Sequence, residues 1–185
     1  DMSFENNPPE ITSSPPLTAT EDSLYTYDVI ADDQDADSLT YSLLQHPPAM
    51  TINATSGEIR WLPENDDVGQ HNITIVVSDG NLTARQDYIL TVENVNDAPQ
   101  ILSLPQTEAS PGSLYQYEVA AADPDNTTLL YSLVQGPSGM TFAGNILRWQ
   151  PTWAEIGEHQ VIISVSDGNL SDSQSFVIVV HGSSG

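Results

Sequence analysis

Leu24-Tyr25-Thr26-Tyr27-Asp28-Val29 returns ninety residues later as Leu114-Tyr115-Gln116-Tyr117-Glu118-Val119. Tyr41-Ser42-Leu43 and Tyr131-Ser132-Leu133 keep that offset. Trp61 and Trp149 are 88 apart, so the second copy is two residues shorter between Met50/Met140 and its Trp. From there His71 through Asp79-Gly80-Asn81-Leu82 matches His159 through Asp167-Gly168-Asn169-Leu170. An internal repeat of this kind decides the architecture before any single element does. Copy one spans residues 8 to 97 and copy two residues 98 to 181, which divides the chain into domains 1–97, with an acidic linker at its end, and 98–185.

Within a copy, short runs alternate with Pro, Gly, Asn and Asp clusters. In copy one the runs fall near residues 10–19 (split by prolines), 24–31, 39–45, 49–53, 57–62, 71–78 and 85–93. Ile73, Ile75 and Val77 alternate with Asn72, Thr74 and Val76, and Tyr88, Leu90 and Val92 with Asp87, Ile89 and Thr91. A period of two marks strands with one face on a core. No segment shows a helical period. Seven short strands in each copy predict an all-β chain of two tandem immunoglobulin-like Greek-key sandwiches.

The charge is lopsided. Twenty-six acidic residues face three arginines (Arg60, Arg85 and Arg148), there is no lysine, and the net charge is −23. Nucleic acid and anionic membrane would be repelled. No apolar run approaches a membrane span. Apolar content of 38% is enough for a core, so this is not a disordered acidic tail. No cysteine is present, which leaves secretion open. Asp1 reads as the start of an excised fragment, and Gly182-Ser183-Ser184-Gly185 as an appended tail without a structural role.

Strand parity places the acids. Alternating strand directions put the connections of a seven-stranded copy alternately at its bottom and top, and the chain leaves at the bottom. Glu21, then Glu64, Asp66 and Asp67, then the exit Glu93-Asn94-Val95-Asn96-Asp97 all fall at the bottom of copy one. Asp123, Asp125 and Asp167 fall at the top of copy two. The expected metal ligands are therefore Glu21, Glu64, Asp66, Asp67, Asn94, Asn96, Asp97, Asp123, Asp125 and Asp167, converging on the junction. Crowded carboxylates repel unless a cation joins them. Calcium accepts roughly 6–8 oxygens from carboxylates, amides and backbone, and suits the Asp/Asn mixture better than magnesium. Zinc and copper would call for His or Cys. The top of copy one, Asp33, Asp35, Asp37 and Asp79, with Glu5, Asn6 and Asn7 as further oxygens, forms a second, partial set. The bottom acids are mostly lost in copy two: Glu21 becomes Pro111, Glu64 becomes Thr152, Asp66 becomes Ala154, and Asp67 survives in kind as Glu155.

Asp33-Gln34-Asp35 and Asp123-Pro124-Asp125, Asp79 and Asp167 in Ser-Asp-Gly, early Glu21, and the linker Asn94-Val95-Asn96-Asp97-Ala98-Pro99 carry a resemblance. Across nearly its whole length the chain resembles the dystroglycan-type cadherin-like and immunoglobulin-like modules of bacterial extracellular proteins. That resemblance implies calcium as cofactor and an extracellular place, secreted or at the cell surface. It implies adhesion, recognition or a spacer role, with another cadherin-like domain or a polysaccharide as partner. It also implies a carbohydrate-binding module on a secreted polysaccharide-degrading protein as the alternative. Where the family usually carries Asp-x-Glu after its fifth strand, Glu64, Asp66 and Asp67 are alternatives.

Each acid has a plainer reading beside it. Asp79-Gly80 and Asp167-Gly168 are also hairpin turn signals, and Asp-x-Asp also suits a solvated loop. Trp61 and Trp149 recur and read as core. Trp153 stands where copy one has Asn65, and is a candidate carbohydrate contact. His71 and His159 recur before the sixth strand, as a structural hydrogen bond would require. No nucleophile motif, phosphate loop or His-ligand spacing appears, so catalysis is not expected. Asn53, Asn72, Asn81, Asn126 and Asn169 lie in Asn-x-Ser/Thr, a glycosylation signal in a eukaryotic secreted protein. The acidity and absence of cysteine favour a bacterial source, where these would be incidental.

Overall fold

Tyr and aliphatic residues at alternate positions form two separate cores, one per repeat. The computed structural model describes residues 5–126 and 128–182, so Ser183, Ser184 and Gly185 of the terminal tail lie outside the described residues. The chain divides into two compact units between Val95 and Asn96.

Unit 1 contains β1 (Glu10–Ile11), β2 (Thr18–Thr20), β3 (Tyr25–Asp28), β4 (Ala31–Asp32), β5 (Thr40–Gln45), β6 (Thr51–Ile52), β7 (Glu58–Trp61), β8 (Gly69–Ser78) and β9 (Thr83–Glu93). One sheet runs β2-β9-β8-β5 and the other β3-β7-β6, with β1 paired to β4. Unit 2 repeats this with β10 (Gln100–Ile101), β11 (Glu108–Ala109), β12 (Tyr115–Glu118), β13 (Ala121–Ala122), β14 (Leu130–Gln135), β15 (Thr141–Ala143), β16 (Ile146–Trp149), β17 (Gly157–Ser166) and β18 (Ser171–Val180). Its sheets are β11-β18-β17-β14 and β12-β16-β15, with β10 paired to β13.

Two of the seven expected strands are broken. The first divides into β1 and β2 around Pro15-Pro16, which cannot donate to a ladder. The second divides into β3 and β4, where the Val29 N–H donates instead to the Gly57 carbonyl at 3.1 Å. The first and last strands run the same way, β2 parallel to β9 and β11 parallel to β18, as alternating directions require. The stretch between the fifth and sixth expected strands is not plain loop. It holds one 3₁₀ turn per unit, Asn65–Asp67 and Trp153–Glu155, too short to show any helical period in sequence.

Each core is closed by the same polar tether. Tyr27 is 5% exposed, and its hydroxyl lies 2.7 Å from Ser13 Oγ and donates to Gln86 Oε1 at 3.0 Å. Tyr117 repeats this with Ser103 Oγ at 2.7 Å and Gln174 Oε1 at 2.9 Å. Trp61 and Trp149 are each 2% exposed, which makes them core residues. The rings of His71 and His159 pack edge-on against them at centroid distances of 5.1 and 5.0 Å. The His71 Nε2–H donates to the Asp67 carbonyl at 2.6 Å, and the His159 Nε2–H to that of Glu155 at 2.7 Å. Both histidines are thus structural, fastening the 3₁₀ turn to the strand that follows.

Trp61→Ala removes a buried indole and should cost about 3–5 kcal/mol. Tyr27→Phe removes only hydroxyl bonds and should cost about 1 kcal/mol. Urea unfolding of the two variants beside wild type measures both.

Candidate metal centre

Asp79 begins a turn rather than ending a strand. Its Oδ1 accepts the Asn81 and Leu82 N–H groups at 2.6 and 2.7 Å, while Oδ2 accepts the Asn6 side-chain amide at 2.8 Å. The turn reading of Asp-Gly is therefore correct, and the same side chain also anchors the segment that leads into the unit. Asp35 Oδ2 accepts the Asn7 backbone N–H at 2.7 Å, and Asp33 Oδ1 accepts that of Asp35 at 2.9 Å. Ala36 adopts a left-handed φ of 59°, turning the chain so that Asp37 follows the other two. Among the described residues, Asp33, Asp35 and Asp37 are the one group of three acidic side chains whose ligand oxygens all lie within 4.8 Å.

Unit 2 builds its top end by the same plan. Asp167 Oδ1 accepts the Asn169 and Leu170 N–H groups at 2.6 and 2.7 Å, and Oδ2 the Asn96 amide at 2.6 Å. Asp125 Oδ2 accepts the Asp97 N–H at 2.6 Å, and Asp123 Oδ1 that of Asp125 at 2.9 Å. Here the left-handed Ala36 is replaced by Asn126, whose N–H donates to Asp123 Oδ1 at 2.8 Å and whose amide reaches Asn96 Oδ1 at 3.3 Å. Asn126 escaped the sequence reading because copy one offers Ala36 there. Its signal was position alone, directly after Asp-x-Asp.

At the lower end of unit 1, Glu21 is 0% exposed. Its Oε1 accepts the Val95 N–H, and its own N–H donates to the Glu93 carbonyl at 3.1 Å. The linker thus begins on this buried carboxylate. Asp22, at φ 58°, donates its N–H to the Pro63 carbonyl at 2.9 Å and ties this loop to the one bearing Glu64, Asp66 and Asp67. Glu64, Asp66 and Asn94 are exposed. Asp67 has a structural duty: its Oδ2 accepts the Glu64 N–H at 3.0 Å, capping the 3₁₀ turn. Glu155 does the same for Thr152 at 2.7 Å in unit 2. The survival of an acid at this position in both copies follows from capping.

Among the described residues, three carboxylate oxygens are buried with no hydrogen-bond partner: Glu21 Oε2, Asp33 Oδ2 and Asp123 Oδ2. Such atoms are rare because leaving them unmatched is costly. Asp33 and Asp123 are equivalent residues, so the same oxygen is left over in both units. No arginine serves them. Arg60 pairs with Glu58 at 2.7 Å and Arg85 with Asp87 at 2.7 Å, both on exposed strand faces, and Arg148 is exposed on β16. The side chains beside these atoms offer carboxylate and amide oxygens, the ligand type that a hard divalent cation takes.

The Asn96 amide, then the backbone N–H groups of Asn169 and Leu170, hold Asp167 below the usual carboxylate range. The Leu82 and Asn81 N–H groups, with Asn6 behind them, do the same for Asp79. In the unfolded chain both protonate first as pH falls. Their stabilisation is therefore complete above the ordinary carboxylate value of about 3.9 and is lost below it. The melting temperature should drop as pH is lowered through about 4. Asp167→Asn should flatten that dependence in a calorimetric pH series.

Comparison with known proteins follows this division. The family model described as "Putative Ig domain" matches residues 8–93 and again 98–181. The chain is 29% identical over 130 residues to Chitinase A of Pseudoalteromonas piscicida, an alignment covering 69% of this chain and 16% of that protein. Among solved structures it resembles the EC1-4 fragment of Drosophila N-cadherin, with TM-score 0.60, 18% identity, and coverage of 96% of this chain and 50% of that one. It also resembles the EC1-2 fragment of human protocadherin-24, with TM-score 0.57, 18% identity, and coverage of 96% and 100%. At these identities the likeness to the cadherins is one of fold. No helix among the described residues is long and apolar enough to cross a membrane. With two tandem matches spanning almost all of its length, this chain belongs to the Putative Ig domain family.

Proposed function

We propose that this chain is a non-catalytic, calcium-binding tandem module of an extracellular protein, acting in adhesion or as a spacer. The observation that carries it is the set of buried carboxylate oxygens without partners, Glu21 Oε2, Asp33 Oδ2 and Asp123 Oδ2, none of them in an ion pair with a basic side chain among the described residues. Glu21, Glu64, Asp66 and Asp67 with the linker residue Asn94, and Asn96, Asp97, Asp123, Asp125 and Asp167 beyond it, would hold calcium. Asp33, Asp35, Asp37 and Asp79 would form a further site of the same kind. Because Val95 is bonded to Glu21 and Asn96 to Asp167, bound calcium would stiffen the segment that joins the units.

A second reading, glycan binding, is favoured by the relative named Chitinase A and by Trp153, which is 62% exposed on the 3₁₀ turn of unit 2. Indole faces suit the apolar faces of pyranose rings, and a binding module beside a catalytic domain would fit the small share of that relative which this chain matches.

Calorimetric titration of calcium should show saturable binding to wild type, with Asp123→Ala combined with Asp125→Ala losing at least one ion. Calcium at about 100-fold over its Kd should add roughly 2.7 kcal/mol of stability per site. Identical melting curves in millimolar calcium and in chelator would overturn the reading. For the second reading, insoluble polysaccharides should retain the wild type and release Trp153→Ala.

A further inference from the structure

The repeats differ where copy two is two residues shorter, and the difference changes a surface. In unit 1 the segment after β6 forms an Asn-headed turn. Asn53 Oδ1 accepts the Thr55 and Ser56 N–H groups at 3.0 and 3.1 Å. The Tyr41 N–H donates to the Ala54 carbonyl at 3.0 Å, so the turn is fastened to β5. The turn returns through Gly57 at φ 76°, where a Cβ would stand 2.6 Å from the Val29 carbonyl and 3.1 Å from the Tyr41 ring. The loop thus lies on that tyrosine, which is only 9% exposed.

In unit 2 the counterparts of Ala54 and Thr55 are missing, and Gly144-Asn145 alone joins β15 to β16. Tyr131, the counterpart of Tyr41, is partly exposed. An open groove of about 850 Å³ lies here, with Tyr131, Leu130, Thr128, Asn126, Asn145 and Asp123 among its lining residues.

We propose that this groove is a binding site for a neutral oligosaccharide, a proposal that rests on the glycan-binding reading above. The lining pairs the partly exposed Tyr131, whose ring suits the apolar face of a sugar, with two amides and a hydroxyl, which match sugar hydroxyls and amides. Its volume lies in the range of small-molecule sites. It contains no basic side chain, and the net charge of −23 repels sulfated or uronic polymers, so an anionic ligand is excluded. The site belongs to unit 2 alone, because the longer loop of unit 1 covers the equivalent ring.

The test uses the whole 185-residue chain in millimolar calcium, with chitohexaose, cellohexaose and laminarihexaose as probes and an alginate hexamer as the charged control. Calorimetry should show saturable binding of at least one neutral hexamer and none of the alginate. Replacing Gly144-Asn145 with Ala54-Thr55-Ser56-Gly57 should weaken that binding at least tenfold, and so should Thr128→Trp, which fills the groove without altering the backbone. An unchanged melting temperature and calcium titration would show that each variant is folded. Binding that survives both variants overturns the groove. If it is then abolished by Trp153→Ala, the glycan-binding reading stands without this site. Absence of binding to every hexamer overturns the groove as well. In that case retention on insoluble polysaccharide, measured separately, decides whether the broader reading falls with it.

Discussion

Twenty-six carboxylates share this chain with three guanidinium groups, and the loops must be built under that imbalance. Two of the arginines are spent on near neighbours two residues away on exposed strands, where ion pairs contribute little. The loop acids are held instead by backbone N–H groups and by asparagine amides. Asp79 and Asp167 each take two N–H groups and one amide, and Asp33 and Asp123 each take N–H groups from the turn that follows. Backbone donors fix loop shape while leaving the full negative charge in place. The loops are therefore preorganised around carboxylate oxygens, the ligand type that a hard cation takes.

Strand positions were legible because one face of each strand is buried, so residues such as Ile73, Ile75 and Val77 had to alternate. The breaks in the first two strands were less so. One follows from visible prolines, but the other depends on Val29 exchanging a ladder partner for Gly57, a contact between distant residues. The acids were legible as a class and not as individuals. Asp67 is legible both as a ligand and as a cap, since capping and coordination ask for the same side chain. Asn126 was passed over because the repeat offered alanine in its place. Histidine roles could be inferred from recurrence, since a residue that returns at the same position in both copies serves what both copies share, the fold.

The two copies act as controls for each other. Their top ends share their main bonds, from the asparagine amide on the Asp-Gly turn to the single carboxylate oxygen left without a partner, and differ where Asn126 replaces Ala36. Their lower ends have parted: where unit 1 has Glu21, Glu64, Asn65 and Asp66, unit 2 has Pro111, Thr152, Trp153 and Ala154. The 3₁₀ turn persists through this change, because its cap, Asp67 or Glu155, and its histidine fastening are independent of the residues that were exchanged. Unit 2 thus keeps the scaffold of that end and presents an indole there in place of carboxylates.

The parallel pairing of β2 with β9, and of β11 with β18, decides how each unit carries load. The chain comes into a sandwich at one pole and goes out at the other, so tension along the polypeptide slides these strands past each other. Their ladder bonds are then strained together in shear, and none can be peeled away ahead of the rest. A hairpin pulled at its open end would fail bond by bond at far lower force.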